Sequence, residues 1–386
     1  MPLPRHLARM IPLALLATTV PTRLAAQQAP TVSTLSPPQA EFAEPFSSLS
    51  GLRELSDGRV LVADRLEKAV RLLDFRSGTF REIGRVGAGP GEYQMPGGLL
   101  PLPADSTLLV DFGNMRLTVI EPSGRMGESW SMLSSDGEMR NPSGVDRAGH
   151  LYFTAMGGFR PGSDGPPDSI AILKWNRAAE AGDTVASLPS PESAVSMRSS
   201  GGGGGFQLRG MSPLAARYGW AVDASGQVAV VWPEDYHVEW IDPRGKRRAS
   251  PPVRYDPVRV TEEDKEAWAD GMANATGVMI AGGSASSSGA RTVRLPRPDP
   301  ADMDWPAVKP PFEASQIRFA PDGSLWVQRY VKHGAPTVVD VFDREGRPVR
   351  QVAYPAGRRF LGFGNGVVYL VHKDADDLEW LERYGI

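Results

Sequence analysis

Leu52-Arg53-Glu54-Leu55-Ser56-Asp57-Gly58-Arg59-Val60-Leu61-Val62-Ala63-Asp64, followed by Ala69-Val70-Arg71-Leu72-Leu73-Asp74 and Ser77-Gly78, is the stretch that decides the fold. It reads as strand, tight turn, strand, loop, strand, turn. Aliphatic and β-branched runs of strand length, broken by Asp-Gly, signal a hairpin because glycine reaches the positive φ that the turn demands.

The unit returns along the chain. Leu99 to Leu102 leads into Thr107-Leu108-Leu109-Val110-Asp111, then Leu117-Thr118-Val119-Ile120. Further copies start at Gly144-Val145-Asp146, at Trp220-Ala221-Val222-Asp223, at Ile317-Arg318-Phe319 and at Leu361-Gly362-Phe363. Six units spaced by roughly 43 to 48 residues, two of them enlarged by inserts, are the pattern of four-stranded blades repeated radially. The expected fold is all-β, a single six-bladed β-propeller of antiparallel blades over residues 27–386. The sixth unit supplies only three strands, and an unpaired outer edge invites aggregation. Residues 31–46 have no blade of their own, so they are expected to complete the last blade and close the ring.

Composition agrees with this architecture. The 386 residues are 41% hydrophobic, with 42 Gly and 35 Pro, which suits many short strands joined by turns. A formal net charge of -3 with both signs interspersed gives no footprint for nucleic acid. Arg5, His6 and Arg9, the apolar run over residues 10–20, and Leu24-Ala25-Ala26 read as a cleavable signal peptide over residues 1–26. The expected location is therefore periplasmic or secreted, with no membrane span in the mature chain. With no cysteine there is neither a lipidation site nor a disulfide. Two inserts stand out. One, at about 190–212, contains the run of glycines at 201–205. The other, at about 258–312, joins a helix with an N-cap Thr261 and first-turn acids to a Gly/Ser-rich stretch at 281–289.

Gly51-Leu52 with residues 57–64, and the segment Gly87-Ala88-Gly89-Pro90-Gly91-Glu92-Tyr93 with Met95-Pro96, resemble the NHL-type (TolB-like) six-bladed propellers of bacterial envelopes. The resemblance implies that the loop after each second strand and the crossing to the next blade open on one face around the central channel. Counting six residues past the turn glycine, or its equivalent, then gives Asp64, Asp111, Ala155, Trp232, Arg329 and His372 as a ring at that mouth. Glu92 and Tyr93 are further candidates for the same mouth. Such a mixed polar ring suits a ligand site, whereas Asp64 and Asp111 taken singly are also ordinary caps for loop amides.

Chemistry is harder to read. The glycine segment is not followed by the helix and Lys-Ser/Thr pair of a phosphate loop. The four histidines beyond the signal (His150, His237, His333, His372) show no metal-ligand spacing, so no metal site and no cofactor are expected. The expected function is a non-catalytic, monomeric binding or scaffold propeller that recognises a protein, peptide or glycan. The alternative is a metal-dependent hydrolase or lactonase of the gluconolactonase type, which would use a divalent cation such as calcium. The segment Asn141-Pro142-Ser143-Gly144-Val145-Asp146 is faintly similar to the asparagine segment of those enzymes, with Pro142 replacing the aspartate that follows it there.

Overall fold

Each repeat folds as one meandering sheet because its second strand must be covered on both faces. Val60–Asp64 and Thr107–Asp111 are buried along their whole length, as a strand wedged between two neighbouring blades has to be. The computed structural model describes residues 31–135, 139–155, 168–190, 196–199, 206–209, 212–274, 276–280, 290–294 and 297–386. Residues 1–30, with the expected signal peptide, the glycines at 201–205 and the Gly/Ser stretch at 281–289 lie outside the described residues.

Six antiparallel four-stranded sheets form the ring. From the channel outward, blade 1 runs Leu49–Glu54, Val60–Asp64, Ala69–Asp74 and Thr79–Glu82. Blade 2 runs from Pro96–Pro101 to Met126–Ser131, blade 3 from Gly144–Val145 to Ala181–Pro189, and blade 4 from Gly219–Val222 to Arg247–Ala249. Blade 5 runs from Phe312–Phe319 to Pro348–Ala353, and blade 6 contributes Arg358–Gly364, Val367–Lys373 and Glu379–Gly385. At the first turn of blade 1, Gly58 takes φ +87° while Asp57 Oδ1 accepts from the Arg59 amide at 2.9 Å. Asp146, Asp223 and Asp322 cap the corresponding turns of blades 3, 4 and 5 in the same way.

Ring closure follows the sequence expectation. Ala40–Glu41 pairs antiparallel with the third strand of blade 6, Ala40 opposite Arg383 and Glu41 opposite Glu382. The N-terminal segment also does something not foreseen. Val32–Thr34 adds to blade 5 as a fifth, parallel strand beside Gln351, Val352 and Ala353. The N-terminal segment therefore straps two consecutive blades.

The core confirms closure independently. Six apolar clusters each join one blade to the next, and the one carrying Leu52, Val62, Tyr369 and Val371 joins blade 6 back to blade 1. An open arc of six blades would have one interface fewer. Phe42 and Phe46 from the N-terminal segment are buried in that closing cluster, and Phe42 meets the Phe75 ring edge-on at 5.4 Å.

The second insert contains the expected helix, α1 (Glu262–Asn274), longer than its sequence signal suggested. Thr261 and Asp264 bond reciprocally at its start, amide to side chain in both directions. The buried pair Lys309–Asp264, 2.6 Å apart, fixes the helix to blade 5, since the same Nζ also donates to the Val331 carbonyl at 2.7 Å. Trp268 and Trp305 add an edge-on contact at 5.5 Å.

Because Phe42 belongs to the closing cluster, Phe42→Ala is expected to destabilise the fold by about 3–5 kcal/mol. Guanidinium unfolding checks this, and an unchanged midpoint would mean that the N-terminal segment is dispensable for closure.

Candidate functional site

The register expects a mouth where each second strand ends beside the start of the inner strand, the place Asp64 and Asp111 occupy. Asp64 joins its two structural parts: its Oδ2 accepts from the Ser47 and Ser48 amides at 2.8 and 3.1 Å, just before the inner strand. Its Oδ1 accepts from the Leu66 and Glu67 amides, both at 3.0 Å, in the loop after the second strand. Asp111 repeats the arrangement in blade 2, taking the Met95 amide at 2.9 Å, the Gly113 amide at 3.1 Å and Asn114 Nδ2 at 2.8 Å. Both carboxylates are buried, and their lone pairs face backbone donors of their own loops. They hold the mouth together and leave little for a ligand to take.

The other candidates are also engaged locally. The Glu92 carboxylate sits inside its own glycine segment, accepting from the Gly89 amide and from Arg85 Nε at 2.7 Å each, and these bonds lower its pKa. A Cβ at Gly87 would fall 2.1 Å from Glu92 Oε2, so the glycines make room for this internal anion rather than for an external phosphate. The Tyr93 ring is buried and its hydroxyl accepts from the Val70 amide at 3.0 Å, with burial raising its pKa. Arg329 Nε donates to Asp340 Oδ2 at 2.6 Å, an oxygen that also accepts from the buried Tyr236 hydroxyl at 2.5 Å. Trp232 is half-buried, stacked on His237 at 6.5 Å and tilted against Tyr218 at 5.3 Å. His372 Nδ1 lies 3.4 Å from Glu382 Oε1 and 3.9 Å from Glu41 Oε2. Glu92, Tyr93 and Asp111 share one loop system, through Asn114 Nδ2 to the Gly87 carbonyl and Arg116 Nη2 to the Glu92 carbonyl. Trp232, Arg329 and His372 each serve a separate blade. Among the described residues, no hydrogen bond gathers the candidates into one cluster.

What the register count missed lies on the innermost strand of blade 5. Phe312 pairs with Arg329 and Ile317 with Val327, so Glu313, Ala314, Ser315 and Gln316 together oppose the single residue Gln328. Setting four residues against one makes a large bulge, where blades 1 and 2 carry smaller ones, and bulges are enriched next to active sites. It presses on blade 4, where a Cβ at Gly219 would fall 2.3 Å from the Ala314 carbonyl oxygen. The Glu313 carboxyl accepts from Gln328 Nε2 at 2.9 Å and Ser315 Oγ at 3.0 Å, both neutral donors, and burial raises its pKa. Burial, with Glu313 close by, pushes the Tyr330 phenol up to about 12.

Arg318 follows the bulge. Its Nη1 donates to the Ser315 and Ile317 carbonyls at 2.7 and 2.8 Å. Nothing among the described residues accepts from its Nε or Nη2, and it has no ion pair there, although the side chain is exposed beside confining walls that pull its pKa down by desolvation. Beside it, Gln316, Gln328, Tyr354 and Phe360 line a crevice of about 10 Å³ between blades 5 and 6, room for about one water. The sequence signal was one of length: between Phe312 and Ile317 stand four residues, Glu313-Ala314-Ser315-Gln316, where blade 1 has only Ser50-Gly51 between Leu49 and Leu52.

No family model and no curated protein sequence matches the chain. Solved structures do resemble it. Regucalcin of Agrobacterium tumefaciens, a calcium-binding protein, is 12% identical over 92% of this chain and 97% of its own, with a TM-score of 0.42. A gluconolactonase of Xanthomonas campestris is 12% identical over 89% and 88%, with a TM-score of 0.45. Virginiamycin B lyase of Staphylococcus aureus is 11% identical over 90% and 98%, with a TM-score of 0.40. No residue role is carried over from them, since one propeller architecture hosts unrelated chemistries.

Two outcomes follow from this geometry. Asp64→Ala strands buried amides and is expected to cost about 3 kcal/mol, with Asp111→Ala similar, both measured by denaturant midpoint. Glu313 has a folded pKa above its ordinary 4.5, so the folded state holds its proton more tightly than the unfolded chain. Its stability contribution is present at low pH and is lost as pH rises through the raised value. Glu313→Gln is therefore expected to raise the melting temperature at neutral pH and leave it unchanged near about pH 3.5. Equal melting at both pH values would place Glu313 in ordinary solvent.

Proposed function

We propose that the protein is an exported binding module that recognises a peptide, protein or glycan through a carboxylate group held at Arg318, on the innermost strand of blade 5, and performs no chemistry on it. Export rests on the signal-like features of residues 1–26. The observation that carries the binding reading is Arg318. One nitrogen of its guanidinium is tied to backbone carbonyls, which fixes the side chain, while the Nε–Nη2 edge remains available. That edge is the one that matches a carboxylate with two parallel hydrogen bonds. Gln316 and Gln328 supply neutral polar groups beside it, and Tyr354 and Phe360 supply apolar surface, the mixture expected of a recognition site.

The metal-dependent hydrolase reading draws on mouth acids, and it is less well supported because Asp64 and Asp111 already spend their oxygens on backbone amides. Among the described residues, Glu313 is the acid whose pKa burial raises, and it defines the control. Calorimetric titration with acidic peptides and uronic-acid oligosaccharides is expected to find a binder. Arg318→Gln is expected to weaken that binder by about tenfold to a hundredfold without changing the melting temperature. Binding unaffected by Arg318→Gln would overturn the reading, as would hydrolysis of lactones or esters by the protein that disappears in Glu313→Gln.

A further inference from the structure

The seam that closes the ring brings together three groups that the linear sequence keeps far apart. Glu41 lies on the N-terminal strand, His372 on the second strand of blade 6 and Glu382 on its third. One ligand atom from each lies within 4.8 Å of the other two. The strand register makes this arrangement a problem unless something occupies it. Glu41 stands directly opposite Glu382 in an antiparallel pair, and like charges facing one another across strands are destabilising. His372 pairs with Trp380, two residues from Glu382, so its ring reaches the same face.

Only part of this charge is neutralised within the chain. Arg358 grips Glu382 through Nε and Nη2, each at 2.9 Å, and the Tyr384 hydroxyl donates to it at 2.8 Å. These bonds fix the carboxylate of a nearly fully buried residue, and Oε1, which accepts from Arg358 Nη2, also faces His372. Among the described residues the Glu41 carboxylate accepts no hydrogen bond, and the cationic group beside it is His372, when protonated, at 3.9 Å. His372 Nδ1 is a buried nitrogen with no hydrogen-bond partner. A buried imidazole nitrogen without a partner, aimed between two carboxylates, is a ligand set short of its cation.

We propose that Glu41, His372 and Glu382 form a divalent metal site that clips the N-terminal strand to the last blade. Donor chemistry selects the class of ion. One imidazole nitrogen and two carboxylate oxygens suit zinc or another first-row divalent ion, with water as a fourth ligand, whereas calcium takes oxygen ligands. Arg358 and Tyr384 are the supporting partners that orient Glu382, the role that outer hydrogen bonds play at metal centres. The half-exposed Glu41 leaves the ion a path from solvent.

The test uses zinc ion alone with the full chain, prepared without an affinity tag. Titration calorimetry is expected to give one zinc per chain, and zinc is expected to raise the melting temperature because it binds only when both chain ends are in place. His372→Asn is expected to weaken zinc binding by about a hundredfold and to abolish the thermal shift. Glu41→Gln changes a residue on an exposed edge strand, so it tests the site even where His372→Asn folds poorly. It is expected to weaken binding by at least about tenfold. Cobalt substitution supplies a spectroscopic check, with visible bands of a low-coordinate site expected in the parent chain and absent from both variants. No zinc uptake by the parent chain, or uptake of equal strength in Glu41→Gln and His372→Asn, would overturn the proposal.

Discussion

Every blade of this ring depends on a pairing between residues almost a full chain length apart. The Phe42 amide donates to the Leu381 carbonyl at 2.9 Å, and Phe46 and Glu379 exchange amide bonds at 2.8 and 2.7 Å. A propeller has no internal reason to stop at its last strand, and an open third strand in blade 6 would be a free template. Covering it with a segment from the other end converts an open stack of sheets into a closed ring. The same segment then continues to blade 5 through Val32–Thr34. The chain start is thus held by two adjacent blades, and a local opening at one leaves the other in place.

Closure also explains how polar groups are spent. In a ring of sheets the loops converge at the two faces, and their amides need acceptors that water reaches poorly. Asp64 and Asp111 answer this at one face, each tying the lead-in of an inner strand to the loop after the second strand. At the other face the turn aspartates do comparable work; Asp146 also holds His150 Nδ1 at 2.8 Å and the Tyr152 hydroxyl at 3.1 Å. Where an aspartate recurs in register with a structural repeat, the repeat itself supplies its reason. Groups that break the repeat need a separate one.

That distinction decides what could be read from the sequence. The blade count, the ring closure and α1 were all legible, because each rests on local signals: Asp-Gly turns, strand-length apolar runs, a missing fourth strand, a threonine cap. The register count landed on strand ends, since Asp64 and Arg329 do close second strands. It selected equivalent positions, because that is what a repeat reports, and at Asp64 and Asp111 those positions carry a reused structural role. The bulge at 313–316 escaped because it lies just before the recognisable start of its unit. The Glu41–His372–Glu382 group escaped because its members become neighbours only when the chain ends meet, and no linear spacing encodes that.

The bulge is specified by more than its own four residues. Gly219, on the inner strand of blade 4, has no room for a side chain against the Ala314 carbonyl or Ile317 Cδ1. Blade 4 therefore yields space where blade 5 swells. On the other side, the side chains of Gln328 and Ser315 hold the Glu313 carboxyl, so the swelling is braced from within its own sheet. An accidental irregularity would be expected to relax into ordinary pairing, since innermost strands carry the ladder bonds that the channel cannot replace. Here two blades are shaped around the departure, and it ends at Arg318, whose unengaged edge is set by the backbone carbonyls of Ser315 and Ile317. Shape and charge meet at one place on the ring. Blades 1 and 2 carry smaller bulges at the same place, and Gly51 likewise has no room against the Gly97 carbonyl. What blade 5 adds is a longer bulge carrying the Glu313 carboxyl and an arginine that, unlike its equivalent Arg53 with Asp105, has no ion pair among the described residues. That difference is the physical argument for placing recognition there.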